Sequence, residues 1–72
     1  MTTWTKKDSS ERATVGNLEC DVWPSGGGAR YSVLDTETGR YLAGGKCADL
    51  GWAKEVSSNF ARSVLAVVIE AK

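Results

Sequence analysis

The chain has 72 residues, nine Lys and Arg against nine Asp and Glu, no His and two Cys. That length supports a single domain over 1–72 with a marginal core, because so short a chain buries only about 60% of its unfolded surface. Balanced charge argues against a strong sequence-independent grip on nucleic acid, and the missing imidazole removes the commonest general base, so no enzymatic role is expected. No apolar run follows Met1, and the longest, residues 64–69, is six residues, against the roughly 20 a membrane span needs. The expectation is a cytoplasmic protein without membrane association, with Cys20 and Cys47 as thiols. Two cysteines without histidine cannot complete a four-ligand zinc site, and no cofactor is expected.

Residues 2–6, Thr-Thr-Trp-Thr-Lys, carry strand formers, and Asp8-Ser9-Ser10 reads as a turn or loop. Trp4 is expected to anchor this segment on the core. Residues 13–23 alternate: Leu18, Cys20 and Val22 point one way, Asn17, Glu19, Asp21 and Trp23 the other, the pattern of a half-buried strand. Pro24-Ser25-Gly26-Gly27-Gly28 should end it, since proline lacks an N–H and glycine accepts positive φ. Residues 30–35 resume with Tyr31 and Val33 on one face, Ser32 and Leu34 on the other. Asp35-Thr36-Glu37-Thr38-Gly39 predicts a hairpin, with Asp opening a type I turn and Gly at the left-handed position. Residues 40–43 form the third main strand, with Tyr41 and Ala43 inward, and Gly44-Gly45 closes it.

From 49 to 72 there is no proline, and the only glycine is Gly51. Apolar residues at Ala53, Val56, Phe60, Val64, Val67, Val68 and Ala71 have the spacing of one helix face. Asp49 is the expected N-cap. The β-branched run 63–69 also suits a strand, but no turn signal separates it from Phe60-Ala61-Arg62, so one helix is expected. Phe60 should sit at the centre of its contact with the sheet. The fold class is α+β: an antiparallel three- to four-stranded meander with one C-terminal helix packed on one face.

A phosphate-binding loop at 39–47 fails on spacing, with Arg40 where the first glycine belongs and Cys47 in place of the hydroxyl. Cys47 beside Lys46 could be a low-pKa thiol, though a small buried hydrophobe is the better reading for both cysteines. Trp23 stands on the face opposite Leu18, Cys20 and Val22, and aromatic and Arg residues dominate interface hot spots. Trp23, Arg30, Trp52 and Arg40 are therefore the candidate partner-binding residues. A second helical stripe holds Ser58, Arg62, Leu65 and Ile69, with Ala66 beside it. It would serve either as a homodimer seam between C-terminal helices or as a docking strip for Trp4 or Val15. The basic set Lys6, Lys7, Arg12, Arg30, Arg40 and Lys46 is interspersed with acids, which favours a solvated mixed surface over a nucleic-acid stripe.

The run Arg30-Tyr31-Ser32-Val33 through Gly39, Gly44-Gly45 and Trp52-Ala53-Lys54 resembles the strand–strand–helix half of double-stranded RNA-binding domains. That resemblance implies phosphate contacts at the start of the last helix, where Lys46 and Lys54 stand. The chain as a whole, with its short start Met1-Thr2-Thr3-Trp4 and its aromatic-bearing sheet, resembles the small accessory proteins of phages of the anti-CRISPR type. That resemblance implies a protein partner, a host defence complex occupied by a stoichiometric inhibitor.

Overall fold

The computed structural model describes the backbone of residues 3–70 and the side chains of residues 3–65. Strands β1 (Thr5–Lys7), β2 (Ser10–Val15), β3 (Leu18–Ser25), β4 (Gly28–Asp35) and β5 (Arg40–Cys47) precede one helix, α1 (Leu50–Glu70). The strands form one antiparallel sheet in chain order, β1-β2-β3-β4-β5. The α+β meander with a C-terminal helix is as the sequence predicts, but the sheet has five strands rather than three or four.

The extra strands come from two tight hairpins. Lys7 pairs with Ser10 around Asp8-Ser9, with Asp8 at φ 55°. Residues 13–23 are not one strand, because Val15 pairs with Leu18 across the two-residue turn Gly16-Asn17. Gly16 takes φ 62° there, as the first position of a type II′ turn requires. Val15 and Leu18 then face each other, so the alternation runs on through the turn and hides it. Asn17 is a turn residue and not part of a sheet face.

Two of the expected strand ends also move. Pro24 pairs with Ala29 and Ser25 with Gly28, so the turn shrinks to Gly26-Gly27. Both take positive φ, 53° and 83°, the signature of a type I′ turn. Pro24 is tolerated because β2 stops pairing at Val22, leaving only β4 beside it. Gly44 and Gly45 do not end β5, which runs on to Cys47. Tyr31 lies across Gly45, its ring 3.1 Å from where a Cβ would stand, and fills the missing side-chain volume.

The last hairpin closes as expected around Asp35. Gly39 N–H donates to the Asp35 carbonyl at 2.8 Å, the Asp35 carboxylate accepts from Glu37 N–H at 2.9 Å, and Gly39 has φ 74°. A β-bulge follows: Val33 pairs with Ala43 but Leu34 pairs with Tyr41. The additional residue, Leu42, reverses the parity of Tyr41. Tyr41 was expected to face inward and instead stands 70% exposed on the other face.

Helix α1 covers the face carrying Ala13, Leu18, Cys20, Val22, Ala29 and Val33, all buried. Its N-cap is Asp49, whose Oδ1 accepts the Trp52 N–H at 2.8 Å. The helix is continuous through 63–69, so that run is not a strand. Its closest line of contact differs from the predicted stripe. Ala53, Ser57 and Ala61, four residues apart, are fully buried, whereas Val56, Phe60 and Val64 are half-buried flanks. Small side chains let the helix axis approach the sheet, which moves Phe60 off the centre. Ser57 avoids a desolvation cost by donating to the Ala53 carbonyl at 2.8 Å. Cys20 Sγ in turn contacts the Ser57 carbonyl at 3.6 Å. Val67, Val68 and Ala71 lie outside the described side chains.

Trp4 packs against both halves of the core, around Leu18, Val33 and Ala61 on one side and Val22, Ala29 and Ala53 on the other. Lys54 holds it from the helix, 5.8 Å above the ring, and pairs with Glu11 at 2.7 Å. This is the anchoring role expected of Trp4.

Candidate functional site

Because α1 lies on one face only, the opposite sheet face is open. Strand register decides what stands there. Trp23 pairs with Arg30, and Arg30 with Lys46, which sets an aromatic and two cations side by side in one row. The next row is Asp21, Ser32, Gly44, and beyond it Glu19, Leu34, Tyr41. Glu19, Asp21, Trp23, Ser32 and Leu34 thus share the face on which the sequence places them.

Charge is unevenly divided across these rows. Arg12, on neighbouring β2, donates to Asp21 Oδ1 at 2.7 Å and lies 3.6 Å from Glu19. The hydrogen bond to Asp21, followed by the charges of Asp21 and Glu19, raises the Arg12 pKa. Both carboxylates of the central strand thus share one guanidinium. Arg30 and Lys46 make no ion pair among the described residues. Trp23 is half-buried and Arg30 and Lys46 are exposed. The end of the sheet near the Gly26-Gly27 turn thus carries an aromatic beside two cations, and in the middle Arg12 offsets one of two carboxylate charges.

The structure separates the four candidate partner-binding residues. Trp23 and Arg30 are neighbours. Arg40 pairs with Asp35 at the opposite end of β5, about 20 Å from Lys46 at the usual rise per strand residue. Lys46, not Arg40, is the β5 cation beside Arg30. Trp52, 55% exposed, lies in the first turn of α1 and so belongs to the helix layer, not to the open face. The signal that would have found Lys46 is a register count outward from the two hairpins, with the bulge at Leu42 included.

Of the stripe on the second helix face, Leu65 packs within the chain. Like Trp4 and Val15, it packs against the cluster of Leu18, Cys20, Val33 and Ala61, and its Cδ1 lies 2.9 Å from where a Cβ on Gly16 would stand. Arg62 is exposed and donates to Asn59 Oδ1. Ile69 lies outside the described side chains.

Both cysteines are free thiols. Cys20 is fully buried, and burial pushes its thiol pKa up, away from reactivity. Cys47 is half-buried against the Val22, Ala29 and Ala53 cluster. Among the described residues no group of three or more His, Cys, Asp or Glu could hold a metal ion, and no helix is long and apolar enough to cross a membrane. The chain matches no protein-family model, no curated protein and no solved structure.

Proposed function

We propose that this chain is a small non-enzymatic protein-binding module whose open sheet face docks a protein partner. The observation that carries this reading is the row Trp23–Arg30–Lys46: an aromatic followed by two cations that pair with no carboxylate among the described residues, on a face the helix leaves uncovered. Such a combination of ring and guanidinium is typical of interface hot spots, and the mixed polar surround suits a non-obligate interface. The likeness to small phage accessory proteins extends the proposal. The partner would be a host defence complex, and the chain a stoichiometric inhibitor that occupies its surface.

Trp23→Ala is expected to weaken partner binding by at least about 2 kcal/mol, the hot-spot scale, with an unchanged circular dichroism spectrum. Full affinity in a folded variant would sink the assignment. A second reading rests on the same row: an aromatic beside two sheet cations also suits single-stranded nucleic acid. It predicts an oligonucleotide affinity that falls steeply with salt. No mobility shift at low salt dismisses it.

A further inference from the structure

The sheet has two free edges, and they differ. β1 is three residues long, exposed throughout, and carries Lys6 and Lys7; a short charged strand is a blunted edge. β5 is eight residues long, pairs only with β4 and ends the sheet. Beyond the bulge its register is regular from Ala43 to Cys47. Gly44, exposed on the open face, offers no side chain to screen the backbone there. Lys46 brings the Trp23–Arg30 row out to this edge. β5 contains Arg40 and Lys46 and no acid.

We propose that β5 accepts an extended segment of a partner protein as a further antiparallel strand, with an acidic residue opposite Lys46 and a large apolar residue opposite Gly44. This rests on the protein-binding reading but not on Trp23. In strand addition the backbone hydrogen bonds supply affinity, and alternate side chains supply specificity. Residues two apart share a face, so the incoming pattern, read from its N-terminus, is Glu-x-Phe. The carboxylate meets the Lys46 ammonium, with Arg30 next in the row. The ring covers the open backbone at Gly44, as cross-strand aromatics do for edge glycines. Charge selects this occupant over a second copy of the chain, since pairing two β5 strands would gather four cations and no acid on one ribbon.

The test is isotope-edited NMR on the full chain with a synthetic peptide holding Glu-Val-Phe between threonines, and a second holding Lys-Val-Phe. The first should shift the amides of residues 43–47 and slow their exchange, and the second should bind at least about tenfold more weakly. Lys46→Glu should reverse that preference. The peptide response is read at 43–47 and the effect of Trp23→Ala on the partner is read separately, so the edge and the Trp23 surface stand or fall independently. Equal response to both peptides, or no shift at 43–47 with millimolar peptide, overturns the proposal. Shifts at Arg30 and Lys46 with oligothymidylate but not with the Glu peptide overturn it in favour of nucleic acid.

Discussion

Trp23, Arg30 and Lys46 illustrate how far single residues can be read before register is known. Alternation along β3 is enough to put Trp23 opposite the buried Leu18, Cys20 and Val22. Lys46 could not be placed the same way, because its face depends on the extra residue at Leu42. Two further residues carry testable consequences. A Cβ on Gly28 would lie 2.5 Å from the Cys47 carbonyl oxygen, backbone against backbone. Gly28→Ala should therefore cost about 1–3 kcal/mol, the scale of an overpacked site, read as a lower urea midpoint. Cys20 acts through its proton. Its pKa is raised by burial, so the fold keeps the proton after the unfolded chain releases it, above about pH 8.5. Its contribution is fully present below that pH and is lost as pH rises toward the folded value. Stability of the native chain should fall as pH rises above about 8.5 more steeply than that of Cys20→Ala. Parallel curves would contradict this role for the thiol.

At the scale of elements, the helix was legible and the hairpins were only partly so. Asp49 as cap and the unbroken run after it specify α1, and the structure agrees at both. Asp49→Ala should cost about 1 kcal/mol, since the Trp52 N–H loses its acceptor, and thermal unfolding will measure it. The contact line of the helix was not legible, because hydrophobicity points to Phe60 while closeness of approach selects Ala53, Ser57 and Ala61. The hairpin at Gly16-Asn17 was hidden because pairing Val15 with Leu18 preserves the alternation across the turn. Pro24 and the glycines of β5 read as breakers, yet each sits where a neighbour is missing or a ring fills the gap. Turn chemistry was readable at Asp35 and Gly39, where side chain and φ both specify the loop.

At the scale of the molecule, one helix and five strands make a two-layer domain with a single covered face. The helix was expected to carry surplus apolar surface. Leu65, the described apolar residue of the second helical stripe, packs against the core beside Gly16, and the proposed recognition surface is the sheet. The open face and the helix layer each hold one of the two tryptophans proposed for binding, and they make opposite predictions. The decisive measurement is the affinity of Trp23→Ala and of Trp52→Ala for the same purified partner, both variants verified as folded. The open-face assignment predicts a loss of at least about 30-fold for Trp23→Ala, the equivalent of about 2 kcal/mol, and native affinity for Trp52→Ala. The reverse ranking would place recognition on the helix layer and contradict the assignment.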